Sequence, residues 1–197
     1  VRAAIGPQVR LLVDCHSRFE VHTAPLVAEE LAKLDVGWFE EPIEPGDDPD
    51  GLAQISKTVS MLVAGGESGY GEEFFADLLK RKAVAVVMPD TKFCGGVGEA
   101  SRIGRAAMSA GGQVSLHSPS GPVSQLASAH VTASVSGALP LEHAVYEADW
   151  RSDLMDPPER IEQGRFWFPQ ETGIGAKLSE ETVRHRGNRR YIWGPHS

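Results

Sequence analysis

Residues able to do acid–base or metal chemistry recur at nearly even intervals along the chain. Asp14, Glu40 (or its neighbour Glu41), Glu67, Asp90, His117 and Glu142 are separated by 26, 27, 23, 27 and 25 residues, and each closes an apolar run. Asp14, Glu40 or Glu41, and Glu67 offer oxygen ligands only, with no thiolate or imidazole among them. Such a set suits a hard divalent cation, Mg²⁺ first. Without a cation, three carboxylates at one level would repel one another. Asp90 and His117 suit a different task. A carboxylate bonded to one ring nitrogen fixes the tautomer and raises the basicity of the other, making a general base. His16 follows Asp14 by two residues, and residues two apart on a strand point to the same side. A serine-hydrolase reading of Ser118 or Ser120 with His117 fails, because neither serine lies in a G-x-S-x-G elbow.

The intervals are what a strand, a helix and two short loops require. The apolar runs are "VRLLVD", "VGWFEEP", "SMLVAGGE", "AVAVVMPD", "QVSLH" and "ALPLEH". Between them lie helical patterns: "APLVAEELAKL", with Thr23 as its expected cap, "EEFFADLLKRK", "EASRIGRAAMSAGG", closed by Gly111 and Gly112, and "PVSQLASAHVTASV". Runs rich in Val, Leu and Ala suit parallel strands buried on both faces. Six successive βα units imply a parallel sheet, doubly wound or a (β/α)8 barrel. Neither G-x-G-x-x-G nor G-x-x-x-x-G-K-[ST] occurs, and "CGGVG" is a weak signal alone. Polar groups at the end of every strand favour the barrel, whose active sites lie at that face. Six units do not close eight strands, and "VRAAIGPQ" opens in the middle of an element. The expectation is that two further βα units precede Val1.

Composition narrows the partners. The 197 residues are 41% hydrophobic and 23% charged, as in a globular domain, and the net charge of −8 argues against nucleic acid. No apolar run approaches the roughly 20 residues that span a bilayer, and no signal-peptide pattern occurs. The expectation is a soluble, cytoplasmic protein. Cys15 and Cys94 form neither a disulfide framework nor a zinc pattern, and are expected as reduced thiols.

"VDCH", "WFEEP", "AGGES", "MPDTKFCGGVGEA" and "SLHSPSGP", in this order and spacing, resemble the barrel domain of the enolase superfamily, mandelate racemase subgroup. The likeness runs from about Val9 to Leu178. It implies a TIM-type (β/α)8 barrel of which this chain carries about six units, the third to eighth strands. Residues 1–178 would be the partial barrel domain and 179–197 a C-terminal tail. The capping domain and first two units would lie upstream. The resemblance further implies metal ligation by Asp14, Glu40 and Glu67, with the ligand in "EEP" two residues before the proline, hence Glu40 rather than Glu41. It implies an Asp90–His117 dyad, and Glu142 bonded to a substrate carboxylate or enolate oxygen. The family's shared chemistry is removal of the proton α to a carboxylate with Mg²⁺. Acid-sugar dehydratases similar to galactonate dehydratase carry Asp-x-His where this chain has "VDCH", so His16 is expected to protonate a leaving hydroxyl. A racemase using the same metal and base is the alternative, and a truncated, inactive barrel is the alternative of another class. The expected partners are a small acid-sugar substrate and, as in the family, further copies of the chain.

Other residues have plainer readings. Lys92, two past Asp90, is within reach of the pocket but reads as a solvated loop lysine, His130 as a helix-surface or packing histidine and His143 as structural. "FWF" at Phe166–Phe168 reads as packing, and "RHRGNRRYIW" as a surface tail or subunit contact. "PQETGIG" has Thr172 where the family's turn carries a second proline, a change of turn rather than chemistry.

Overall fold

The computed structural model describes residues 1–145 and 148–187. A one-turn helix, α1 (Arg2–Ile5), leads to alternating strands and helices: β1 (Leu11–Asp14), α2 (Ala24–Ala32), β2 (Val36–Glu40), α3 (Pro49–Thr58), β3 (Leu62–Gly65), α4 (Gly71–Arg81), β4 (Val86–Val87), α5 (Val97–Ser109), β5 (Gln113–Val114) and α6 (Pro122–Ser134). All five strands are parallel, in the order β1-β2-β3-β4-β5. Parallel strands alternating with helices are what the βα periodicity predicts.

Strand alternation separates two faces. Phe39, Val63, Val87 and Val114 pack against the helices, in one core with Leu52, Ile55, Phe75, Leu78 and Ile103. Trp38, Ala64, Val86 and Met88 form a second cluster on the opposite face, with Leu139 beside it. Glu40 shares the parity of Trp38, Asp90 that of Val86 and Met88, and His117 the parity opposite to Val114 and Leu116. Glu40, Asp90 and His117 therefore belong to the inner face, and the apolar residues between them hold the helices.

The sixth expected strand does not form. "ALPLEH" contributes one ladder bond, Leu139 N–H to the Val114 carbonyl at 2.9 Å, and Ser115 Oγ donates to the Pro140 carbonyl. With no strand on its far side among the described residues, this run is an edge segment, where a proline is tolerated but adds no donor. Thr23 does not cap α2 with its side chain. It accepts from Glu20 N–H and donates to the Glu20 carbonyl, closing the turn before the helix. The expectation for α5 agrees with the structure: Gly112 N–H reaches the Ala107 carbonyl, and Gly111 takes φ +80°.

Beyond α6, a short 3-10 turn (Arg151–Leu154) precedes β6 (Met155–Asp156), the hairpin β7 (Arg160–Glu162) and β8 (Arg165–Trp167), β9 (Lys177–Leu178) and α7 (Glu180–Arg186). The first part of the expected tail is thus a helix, capped by Ser179 and tied back by Thr182 Oγ1 to the Asp153 carbonyl. The rest of that basic stretch, 188–197, lies outside the described residues. His130 and Phe168 stack at 4.7 Å, and His130 Nε2 meets the Ile174 carbonyl, so both pack. No helix among the described residues is long and apolar enough to cross a membrane.

Candidate active site

Strand register brings the carboxylates to one level. Asp14 pairs with Glu40 across β1 and β2, and Glu40 with Ala64 across β2 and β3, three residues before Glu67. Glu40 is 7% exposed, and its Oε2 accepts from Trp38 Nε1 at 3.1 Å. Burial, with Asp14, Glu142 and Glu67 nearby, pushes its carboxyl up to about 8. Glu41 turns the other way. Its Oε1 accepts from the backbone N–H groups of Gly66 and Glu67 at 2.8 and 3.1 Å. That cradle explains the double glycine: a Cβ on Gly65 would lie 2.9 Å from Glu41 Cγ, and Gly66 sits at φ +104° against Phe75. Of the two acids in "EEP", Glu40 joins the carboxylate row and Glu41 orders the loop that carries Glu67.

His16 reaches Asp14 by another route than strand alternation. The strand ends at Asp14, and His16 and Ser17 take φ +46° and +54°. Ser17 N–H donates to the Glu41 carbonyl at 2.7 Å and holds this turn. The His16 imidazole folds back, with Nε2 at 2.8 Å from Asp14 Oδ2, while its N–H donates to Oδ1. Left-handed non-glycine residues are uncommon and cluster at functional sites. His16, Ser17 and Glu41 are three of them together.

Asp90 is fully buried, and His117 Nδ1 lies 2.8 Å from its Oδ2. The other ring nitrogen, Nε2, faces Glu67 Oε2 at 3.1 Å. Burial would lower the pKa of His117, but Asp90, Glu67 and Glu142 overcome it and raise it. Burial likewise raises Glu67, as do Asp14 and Glu142, against the opposing pull of His117 and His16. Glu67 Oε2, although close to the imidazole, is a buried oxygen without a properly aimed hydrogen bond. Glu142 is held beside this pair: its Oε2 accepts from Ser118 N–H at 2.8 Å, and its carbonyl accepts from Gln125 Nε2 at 2.9 Å.

The donor chemistry and the orphaned Glu67 oxygen fit a hard cation. As folded, no group of three or more His, Cys, Asp or Glu among the described residues is gathered tightly enough to hold a metal. Asp14, Glu40 and Glu67 share a level and a field. Sequence reasoning missed Trp38 and Gln125; Lys92 is an exposed loop lysine, as expected, whose Nζ nevertheless reaches to 3.2 Å from Asp90 Oδ2. Parity with Glu40 could have flagged Trp38. Gln125, a buried amide on a helix of small residues, gives no such signal.

This arrangement of βα ends has known counterparts. Residues 1–182 match the family model described as enolase C-terminal domain-like. The chain belongs to that family. It is similar to a D-xylonate dehydratase of Haloferax volcanii, 31% identical over 93% of this chain and 44% of the relative. It is also similar to a D-gluconate/D-galactonate dehydratase of Picrophilus torridus, 30% identical over 93% of this chain and 46% of the relative. Among solved structures, a mandelate racemase/muconate lactonizing enzyme-like protein of Rubrobacter xylanophilus superposes with a TM-score of 0.87 at 32% identity, covering 93% of this chain and 46% of that one. The chain spans about half the length of the curated relatives it matches.

Proposed function

We propose that this protein dehydrates an acid sugar to a 2-keto-3-deoxy acid with the help of Mg²⁺. One observation carries the reading: two imidazoles of different character stand on the carboxylate row, His117 facing Glu67 with buried Asp90 behind it, and His16 exposed on Asp14. Elimination needs a base at one carbon and an acid at the next, and here one ring is built for each task. His117 Nε2 takes the α-proton, and the C–H electron pair moves toward the carboxylate carbon as an ene-diolate. That pair then returns to expel the β-hydroxyl, which leaves as water with a proton from His16. The resulting enol takes a proton at the former hydroxyl-bearing carbon and becomes the keto acid.

Asp14, Glu40 and Glu67 would hold the cation, which supplies positive charge against the developing ene-diolate. Glu142, fixed by Ser118 N–H, would orient a substrate oxygen. The named activities of the relatives support the substrate class, and the oxygen-only donor set supports Mg²⁺.

A panel of aldonates and aldarates, assayed for 2-keto-3-deoxy acid with the full-length protein, tests this. His16→Asn is expected to lower dehydration by roughly 100-fold or more while α-proton exchange by His117 persists. His117→Asn is expected to remove both. Dehydration that survives His16→Asn would contradict the assignment of that ring.

A further inference from the structure

Asp90 is gripped by more than its histidine. Besides His117 Nδ1 on Oδ2, the backbone N–H of Lys92 donates to Oδ1 at 2.7 Å, and Lys92 Nζ lies 3.2 Å from Oδ2. The ammonium is anchored on its outer side by Ser120 Oγ. Ser120 is itself fixed, because its carbonyl accepts from Arg151 Nη1 at 2.7 Å and Arg151 Nε pairs with Glu159 at 3.0 Å. Lys92 also lies over the Phe93 ring, 4.8 Å from its centroid. A residue that reads as a solvated loop lysine thus sets its ammonium on a fully buried carboxylate already bonded to His117.

We propose that Lys92 is a positioning residue for the Asp90–His117 pair: its N–H and its ammonium each clamp one carboxylate oxygen, so Oδ2 meets His117 Nδ1 in a single orientation. The terminal torsion of an aspartate is broad and roughly two-fold, so one partner alone does not fix its plane. A second, charged donor on a buried carboxylate does. The ring then presents Nε2 in one direction, the requirement of a base that must meet a carbon-bound proton. Hydrogen bonds from His117 and from both donors of Lys92 outweigh burial and lower the Asp90 pKa, so the clamp acts on an ionised carboxylate. Lys92 acts through Asp90, not on substrate.

The catalytic consequence rests on the base role proposed for His117, whereas the geometric one does not. The test is therefore double, on the full-length protein with Lys92→Met, Lys92→Arg and Ser120→Ala. In Mg²⁺-free protein with ¹⁵N-labelled histidine, the His117 Nδ1–H resonance is expected to be sharp in the parent and in Lys92→Arg, and broadened or lost in Lys92→Met. In turnover, Lys92→Met is expected to lower kcat by about 10- to 100-fold with KM changed by less than about 3-fold, and Lys92→Arg to recover most of it. A sharp resonance with parental kcat in Lys92→Met overturns the proposal. So does a raised KM at unchanged kcat, which would mark Lys92 as a substrate contact. If the resonance responds but the parent turns over no acid sugar, the positioning role stands and the dehydratase reading falls. Should Lys92→Met fail to fold, Ser120→Ala, which removes only the outer anchor, decides: broadening of the same resonance supports the clamp and an unchanged one refutes it.

Discussion

Glu40 is the residue where the site's electrostatics are most exposed to measurement. Its carboxyl, pushed up to about 8 chiefly by burial and then by Asp14 and Glu142, keeps its proton in the folded chain long after the unfolded chain has lost it. Stability from such a group is fully present below the unfolded value of 4.5 and is lost as pH rises toward about 8. Glu41, pushed up to about 7 mainly by burial, and the raised His117 act in the same direction. Asp90, whose pKa is lowered, sets the opposite limb and costs stability only as pH falls through its own range. Urea unfolding without Mg²⁺ is expected to show a loss on the order of a few kcal/mol between pH 5 and pH 8.5. Mg²⁺ at saturating concentration is expected to remove most of that slope, because a cation holds the same carboxylates ionised. A flat profile in both conditions would contradict the carboxylate row.

At the scale of elements, the loop after β3 joins fold to site. Gly66 combines φ +104° with a Phe75 ring carbon 2.9 Å from where a Cβ would stand, and its N–H binds Glu41. Gly66→Ala is expected to cost about 1–3 kcal/mol in urea unfolding and to weaken Mg²⁺ binding measured by calorimetry, since Glu67 follows directly. This loop also shows what the sequence could reveal. The βα period placed Asp14, Glu40, Glu67, Asp90 and His117 at strand ends, because a strand and a helix consume a near-constant length of chain. What the period could not reveal depends on backbone torsion and on contacts between distant segments. His16 leaves the strand through a left-handed turn, Lys92 bridges Asp90 and Ser120, 28 residues on, and Gln125 binds a carbonyl across from α6. The run 138–143 has the composition of a strand but, among the described residues, one neighbour to pair with, and so gives one ladder bond.

Over the whole molecule, five parallel strands and their helices enclose an apolar core whose helix-side cluster includes both thiols. Burial first, then Asp14 and Glu40, pushes Cys15 up to about 12, and burial is the main cause that pushes Cys94 up to about 11. Both should therefore resist a disulfide reagent at pH 8 by roughly 100-fold relative to the unfolded chain, and become reactive together with global unfolding. Fast native-state modification of either would mean that the core opens locally beside the site.

The central claim is elimination rather than simple proton exchange, and turnover in D₂O with Mg²⁺ and an acid-sugar panel tests it most directly. The account predicts a 2-keto-3-deoxy acid carrying one solvent deuteron at the carbon that lost its hydroxyl. Deuterium at the α-carbon of recovered substrate, with no keto acid formed, would contradict it and assign the same base to a racemase or epimerase.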